Sequence, residues 1–281
     1  MYTLEKPVFA VSDVLAICTG AVEDAELKAR LMAIEGNISA VEPNYDLMAK
    51  NHELHLLPRV ESVGSVSKDE LVSLYSDHLS ATKGAARAIY DAIKNAAPGK
   101  LCPLCSIGAV AHLDHHLPKR KYPDLSVLPI NLVPSCHFCN DTKKARFPKK
   151  VSEQTFHPYY DAHLLVDQWV TATLDQGPPP VLVFVANAPT TWLESDRKRV
   201  ARHFTVCGLA TTFTVNANNR LSSLKERLIS LENIGGSEQV RKYLAEERDA
   251  YAKKRNSWEH VLYQTLESDN WFVNGGFHDI P

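Results

Sequence analysis

Apolar residues recur at helical spacing over much of the chain. Within residues 68–97 they repeat every three or four positions in two runs, which predicts two helices separated near Gly84. Ser67, followed three residues later by Glu70, has the pattern of a capping box and favours a helix start at this point. Pro98-Gly99 then predicts the end of the second helix, because proline interrupts helical hydrogen bonding.

The C-terminal third also has helical periodicity. One apolar stripe runs from Leu221 to Leu231 and a second from Val240 to Leu266, and Gly235-Gly236 predicts a break between them. Ahead of these stripes, residues 195–204 have the pattern of a helix capped by Ser195. The continuous apolar run Val181 to Val185 instead predicts a buried strand.

The middle of the chain lacks the long helical periodicity of the other regions. Residues 101–148 are short apolar pieces interrupted by prolines, which excludes long helices, whereas residues 1–60 predict short helices. We therefore expect an α+β fold that is mostly α-helical. It should have three parts: an N-terminal helical segment that could dock a partner (1–66), a compact module with its preceding helices (67–160), and a mainly helical C-terminal region with a short strand (161–281).

The composition is that of a globular protein. Hydrophobic residues make up 44% of the 281 positions, which is enough for a core. The first residues include Glu5, Lys6 and Asp13, and no run of eighteen or more apolar residues lacks a charge, so we expect no membrane span and place the protein in the cytoplasm. The formal net charge of −2 excludes a uniformly basic surface but not a local basic one.

Four of the six cysteines form two C-x-x-C pairs: Cys102 with Cys105, and Cys136 with Cys139. With no secretion signal, this spacing favours metal binding over disulfide bonds. Four thiolates complete one tetrahedral zinc and leave no open coordination position, so the pattern predicts a structural zinc. Cys18 and Cys207 lie in apolar sequence, and we interpret them as buried, unreactive thiols.

Polar residues with catalytic potential lie beside the cysteines. Asp114-His115 is part of HLDHHLP, Asn131 is part of INLVPSC, and Asn140 directly follows the second cysteine pair. D-H-x-x-P, then N-L-V-P-x-C, then C-x-x-C-N-x-x-K resembles the HNH, or ββα-metal, nuclease motif in its zinc-containing form. The resemblance implies a strand ending at Asp114-His115, a second strand near Ser126 to Leu128, and a helix starting near Cys136.

The resemblance also implies a role for each of these residues, and the roles are chemically reasonable. Phosphodiester hydrolysis needs a deprotonated water and a stabilised phosphate and leaving oxygen. His115, whose pKa is ordinarily about 6.5, is assigned as the general base. Asp114 and the amide oxygen of Asn140 are assigned as ligands of a catalytic Mg²⁺ or Mn²⁺. Asn131 is assigned the task of holding His115 in its reactive orientation.

Two questions about this site stay open on the sequence. Adjacent residues of a strand point to opposite faces, so Asp114 and His115 can share a site only where the strand ends or bulges, which Pro118 favours. His116 is an alternative base. We interpret it as a wall residue, because the family usually has an apolar or aromatic residue at this position.

Basic residues are concentrated around the motif. Their excess over acidic residues favours a phosphate-binding rim over an ordinary solvated face; the residues assigned to nucleic-acid binding are Lys119, Arg120, Lys121, Lys143, Lys144 and Arg146. Further along, His157 could approach the scissile phosphate or cap a turn before Pro158. His112 and His137 are interpreted as surface or packing residues.

A closer resemblance covers residues 74–160. The segments AARAIYDAIKNAAPGKLCPLC and LDHHLPKRKYPDLSVLPINLVPSCHFCN, with the C-terminal WFVNGGF, are similar to the PtuB-type HNH proteins of Septu and retron antiphage systems. The resemblance implies an effector nuclease of antiphage defence that acts on nucleic acid, with DNA favoured over RNA. It also implies a PtuA-like ATPase partner and, in retrons, a complex with retron RNA and DNA. Two roles stay open for the helices on either side of the module. They would dock onto the ATPase, or they would only cover the apolar surface of the module that faces away from its site.

Two other functions remain open on the sequence. The first is a zinc-stapled nucleic-acid-binding or scaffold module whose catalytic site has decayed. The presence of Asp114, His115, Asn131 and Asn140 counts against this reading, because binding alone requires none of them. The second is a stand-alone restriction-type HNH nuclease, which should carry its own sequence-reading element; no helix-turn-helix or finger array is recognisable in the chain.

Overall fold

The computed structural model describes residues 1–281 and is mostly α-helical, with three antiparallel two-stranded sheets. The expected α+β fold is therefore confirmed. The chain divides into two compact units, Tyr2–Ala162 and His163–Pro281, with Met1 assigned to the second. None of its helices combines the length and the apolar character that crossing a bilayer requires.

The first unit contains short helices and two small sheets. Its α-helices are α1 (Val11–Gly20), α2 (Ala25–Ala33), α3 (Glu35–Ser39), α4 (Val41–Lys50), α5 (Lys68–Ser73), α6 (Arg87–Asn95) and α7 (His137–Lys143). Its strands are β1 (Ser62–Val63), β2 (Val66–Ser67), β3 (His112–His115) and β4 (Leu132–Ser135), paired as β1–β2 and β3–β4. Ser67 and Glu70 form the expected capping box at the start of α5, which continues as a π-helical turn over Leu74–Leu79.

One hydrophobic cluster extends through the first unit. It contains Leu15 of α1, Tyr45 of α4, Ile89 of α6, Leu113 of β3 and Leu132 of β4, all buried. Residues 1–66 and 67–160 therefore share one core, and α6 packs against both β3 and β4. Since burial of apolar surface contributes about 25 cal/mol per Å², this shared core fixes the N-terminal helices against the motif-bearing strands.

The motif-bearing segment forms two strands followed by a helix. β3 and β4 pair antiparallel, with His112 opposite Ser135 and His115 opposite Leu132. Cys136 is the N-cap of α7, and its Sγ accepts from the N–H of Cys139. The first strand and the helix therefore lie where the sequence predicts them.

The position predicted for the second strand is wrong. Residues 126–128 follow a 3₁₀ turn at Pro123–Leu125, and a second 3₁₀ turn occupies Pro129–Asn131. Each turn begins at a proline, whose fixed φ favours a turn start and whose missing N–H removes a ladder donor. β4 consequently begins only at Leu132.

The second unit packs one hairpin against long helices. Its strands are β5 (Val170–Asp175) and β6 (Val181–Ala186), and its helices are α8 (Glu194–Val206), α9 (Leu209–Ala250), α10 (Trp258–Ser268) and α11 (Asn270–Val273). The strand predicted at 181–185 is confirmed as β6, but only one of its faces is buried, since Val183 and Val185 are exposed. Its partner β5 was not predicted. The helix predicted at 195–204 is also present, but it begins at Glu194 after Leu193, so Ser195 is not its cap.

The C-terminal helices break at two places. Gly235 and Gly236 leave helical φ and ψ inside α9, with Gly236 at a φ of 65°, which is the break the sequence predicts. The second stripe, residues 240–266, is divided between α9 and α10 because Ser257 caps a new helix. Asn256 in the intervening turn accepts from two backbone N–H groups at the start of β5 (2.7 and 3.0 Å), which holds the turn in place.

Candidate active site and zinc centre

The four paired cysteines converge in the first unit. All four are buried, and their Sγ atoms all lie within 4.8 Å of one another. The Sγ atoms of Cys105 and Cys136 are 3.8 Å apart, which is the separation of about 3.8 Å between two ligands of a tetrahedral zinc with Zn–S bonds of about 2.3 Å. The donor type, number and spacing therefore fit a structural zinc.

Local backbone geometry brings the two cysteine pairs together. The N–H of Cys102 donates to the carbonyl of Gly108 (2.8 Å), and the N–H of Ser106 donates to the carbonyl of Cys102 (2.7 Å), which closes the first pair into a turn. Gly108 is required by close approach, because a Cβ there would lie 2.6 Å from the Cβ of Cys136. The second pair lies at the start of α7, so the cysteine cluster ties that helix to the turn before β3.

Asp114, His115 and Asn140 line one open cleft of about 510 Å³, which we call the Asp114 cleft. Adjacent residues inside a strand point to opposite faces. Because β3 ends at His115, the adjacent residues Asp114 and His115 can both line this cleft. Asn140 reaches it from α7 and is half-buried. Three of the four residues assigned to catalysis therefore share one space, and Asn131 lies outside its lining.

His115 is held in one orientation and one tautomer. Its Nε2–H donates to the backbone carbonyl of Ser126 at 2.8 Å, and the ring of Tyr75 meets it edge-on with 4.4 Å between centroids. Donation by Nε2 leaves Nδ1 as the nitrogen with the free lone pair. Burial, with a further contribution from Lys119, lowers the pKa of His115 to about 3, so the ring is neutral near pH 7.

Lys143 is buried and pairs with Asp114. Its Nζ lies 2.8 Å from Oδ2 of Asp114 and donates to the backbone carbonyl of His115 at 2.5 Å. The burial of Lys143 contradicts its assignment to an exposed phosphate-binding rim: as the last residue of α7, it points inward instead of into solvent. Burial raises the pKa of Asp114, and the charge of Lys143 opposes that rise.

Asn131 is fully buried and fixes the loop that follows His115. Its Oδ1 accepts from the N–H of Leu117 (2.8 Å), and its Nδ2 donates to the carbonyls of Leu117 (3.0 Å) and Leu125 (3.4 Å). Leu125 directly precedes Ser126, the hydrogen-bond partner of the His115 ring. Asn131 therefore holds two backbone segments near His115, at Leu117 and at Leu125, and does not contact the His115 ring itself.

A residue from the N-terminal helices completes this arrangement. The hydroxyl of Tyr45, on α4, lies 3.1 Å from Oδ1 of Asn131 and 3.1 Å from Nε2 of His157. His157 is buried, accepts from the N–H of Tyr159 through Nδ1, and stacks on His116 with 4.0 Å between ring centroids. Neither His157 nor His116 lines the Asp114 cleft. The sequence left two roles open for His157, which were to approach the scissile phosphate or to cap the turn before Pro158. Its contacts fit the second role.

The basic wall of the Asp114 cleft differs from the predicted rim. Arg87 and Lys94 of α6 line it together with Lys119, and each lies over a tyrosine ring: Arg87 and Lys94 over Tyr90, and Lys119 over Tyr75 at 4.0 Å. The remaining predicted rim residues are exposed outside the lining; they are Arg120, Lys121, Lys144 and Arg146. Arg87 and Lys94 were not predicted, although their spacing of seven residues places them on one face of a helix.

Comparison with known proteins gives a relative that spans nearly the whole chain. Protein ea31 of Escherichia phage lambda is 28% identical over 301 residues, an alignment that covers 98% of this chain and 100% of that protein. No family model matches the chain, and no solved structure matches it. The similarity to the phage protein therefore extends over both units and is not confined to the four-cysteine segment.

Proposed function

We propose that the chain is a metal-dependent endonuclease of the HNH type, which hydrolyses phosphodiester bonds of nucleic acid. The observation that carries the proposal is that Asp114, His115 and Asn140 line one cleft. An imidazole of fixed tautomer and two oxygen donors thus face the same space. The two-strand and helix arrangement of β3, β4 and α7 supports the resemblance to the ββα-metal motif.

His115 is the general base of this mechanism. Because its Nε2–H is engaged by Ser126, Nδ1 accepts the proton of the attacking water. A neutral ring is the form that can accept a proton, and burial keeps the ring of His115 neutral near pH 7, although the same burial makes it a weaker base. A positioned base of this kind contributes about 10²–10⁴-fold to the rate.

Asp114 and Asn140 would hold the catalytic ion. Carboxylate and amide oxygens are ligands that suit Mg²⁺ and Mn²⁺, so the side chains of the cleft fit such an ion. When bound, it supplies stabilisation of the phosphate and of the charge on the leaving oxygen. Lys143 fixes the Asp114 carboxylate in place and offsets its charge within the buried part of the site.

The wall of the cleft supports nucleic acid as the substrate. Arg87, Lys94 and Lys119 place positive charge beside the three site residues, where a phosphate backbone would lie. We retain DNA as the favoured substrate. The antiphage role, the PtuA-like ATPase partner and the retron complex are supported by the resemblance over residues 74–160. Because residues 1–66 share one core with the nuclease module, an ATPase that docked on these helices would contact the same unit that holds the site.

The test is cleavage by the protein purified alone and by the complex recovered from its native host. Plasmid DNA, single-stranded DNA and RNA are incubated with Mg²⁺ or Mn²⁺. We expect DNA to be cut only with added metal and the zinc content to stay constant. Asn140→Ala should raise the Mg²⁺ concentration needed for half-maximal cleavage by about 10-fold or more, whereas Asn140→Asp, which keeps an oxygen ligand, should retain cleavage.

Two outcomes would contradict the proposal. Full cleavage in EDTA with zinc retained would exclude the second metal. Tight binding of nucleic acid without cleavage, by both preparations and with either metal, would favour the zinc-stapled binding module instead.

A further inference from the structure

Two histidines outside the proposed machinery form a close pair. Nε2 of His112 and Nδ1 of His137 lie 2.8 Å apart, with 4.2 Å between ring centroids and an angle of 83° between the planes. The register of the sheet produces this pair. His112 lies opposite Ser135 at the end of β3–β4, and α7 begins two residues after Ser135 with His137. His137 is exposed and His112 is half-buried, so solvent ions reach both rings.

The two nitrogens share one proton in a hydrogen bond, and a metal ion that replaces this proton would find them close to the spacing of two adjacent ligands. With metal–nitrogen bonds of about 2.0–2.1 Å, a nitrogen separation of 2.8 Å corresponds to an angle of about 85° at the ion. Adjacent ligands of an octahedral ion subtend about 90°, so a shift of about 0.1 Å satisfies that geometry. Imidazole nitrogens suit Zn²⁺, Cu²⁺, Fe²⁺ and Ni²⁺ better than Mg²⁺.

Asp141 is the nearest residue of the appropriate type for a third ligand. It lies four residues after His137 on α7, and residues at this spacing are neighbours on one helix face, with Cβ atoms about 5–6 Å apart. Its carboxylate does not lie within 4.8 Å of both imidazole nitrogens, so binding an ion requires a change of its rotamer, which its exposed position allows; its charge already acts on His112. Two histidines and one carboxylate form a metal-binding set that leaves coordination positions open.

We propose that His112, His137 and Asp141 form a second metal site, which binds a first-row transition ion that favours octahedral coordination, such as Ni²⁺ or Co²⁺. The site is separate from the cysteine cluster, which uses four thiolates, and from the oxygen donors Asp114 and Asn140. His112 and Asp114 are two residues apart on one face of β3, and His112 lines the Asp114 cleft, so the ion is bound at the edge of that cleft. The site does not depend on the proposed nuclease activity.

The test is titration of the full-length, zinc-containing protein with Ni²⁺ by isothermal calorimetry. A large excess of Mg²⁺ is present to occupy oxygen ligands. We expect one equivalent of Ni²⁺ to bind, and Co²⁺ at the same site to produce visible d–d absorption. His137→Ala and His112→Ala should each weaken Ni²⁺ binding by about 10-fold or more, and Asp141→Asn should weaken it less than either, because two imidazoles remain.

Matched controls separate this site from the others. His278→Ala removes an exposed histidine that lies 2.8 Å from Glu232 in the second unit, and it should leave Ni²⁺ binding unchanged. Asp114→Asn should also leave it unchanged. The proposal is overturned if His137→Ala binds Ni²⁺ as the wild type does, or if Asp114→Asn abolishes binding that His137→Ala retains. His137 is exposed, so its variant reports on the site even if His112→Ala disturbs β3.

Discussion

The buried ammonium of Lys143 lies 2.8 Å from a carboxylate oxygen of Asp114, the residue assigned to the catalytic ion. The same ammonium donates to the backbone carbonyl of His115. One side chain of α7 therefore holds both residues at the end of β3. Burial by itself raises the pKa of Asp114, and Lys143 is the nearby positive charge that favours its ionised form.

Lys143→Met should destabilise the first unit by about 3–5 kcal/mol, because it leaves Asp114 buried without its cation. The pKa of Asp114 should then rise further above its unfolded value. A carboxyl group with a raised folded pKa stabilises the fold below the unfolded pKa, and this contribution is lost as pH rises through the folded pKa. The destabilisation measured by urea unfolding should therefore be larger at pH 8 than at pH 5.

The exposed neighbour Lys144 provides the control for this experiment. Lys144→Met changes the same charge on the surface and should alter the free energy of unfolding by less than about 0.5 kcal/mol. Equal effects of the two substitutions, or a Lys143→Met effect that does not depend on pH, would contradict the role given to the Lys143–Asp114 pair.

The cysteine cluster should contain one tightly bound zinc. Cys136→Ser should lose the zinc and unfold the first unit, because a structural zinc contributes on the order of 10 kcal/mol to domains of this kind. Zinc content is measured by elemental analysis and folding by thermal unfolding. Cys18→Ala, which changes a buried thiol outside the cluster, should keep one zinc. A zinc-free protein with an unchanged thermal transition would show that the cluster holds no structural metal.

Tyr45 should act on the site through Asn131. Tyr45→Phe removes the hydroxyl that lies 3.1 Å from Oδ1 of Asn131, and the loop after His115 loses one of its supports. We expect the single-turnover rate of cleavage to fall roughly tenfold, equivalent to about 1.4 kcal/mol, with little change in substrate affinity. Tyr160→Phe is the control, because the hydroxyl of Tyr160 donates to Asp46. An equal loss of rate in both variants would indicate a general effect on packing.

Local sequence patterns predicted the parts of the site that are local in the chain. The two cysteine pairs are recognisable from their spacing, and Asp114 and His115 from the resemblance to the HNH motif, because each pair lies on one turn or one strand end. The start of α7 at Cys136 also follows from that resemblance. A site whose residues are close together in the sequence can therefore be predicted before the fold is known.

The supports of the site were not predictable in this way. Ser126 acts through its backbone carbonyl, which any residue would provide, so its side chain carries no signal. Tyr45 lies 86 residues from Asn131 in the chain, and only the shared core brings them together. Lys143 is indistinguishable by charge from Lys144 beside it, and only the direction in which α7 turns places one inside and the other in solvent.

The role of His115 as the general base is the central claim, and single-turnover cleavage of one DNA substrate tests it most directly. The wild type, His115→Ala and His116→Ala are compared, with the ATPase partner present if cleavage requires it. His115→Ala should slow cleavage by about 10²–10⁴-fold, with zinc content and DNA affinity retained. His116→Ala should have a much smaller effect, because that ring stacks on His157 away from the Asp114 cleft.

The pH dependence of the same measurement adds a second criterion. Because burial lowers the pKa of His115 to about 3, the ring is already neutral at pH 6, and the ratio of the wild-type rate to the His115→Ala rate should stay constant from pH 6 to pH 8. A base with the ordinary pKa of about 6.5 would change that ratio about fourfold over this range. A mild effect of His115→Ala together with loss of cleavage in His116→Ala would show that His116 is the base, and full activity of both variants would contradict the proposed mechanism.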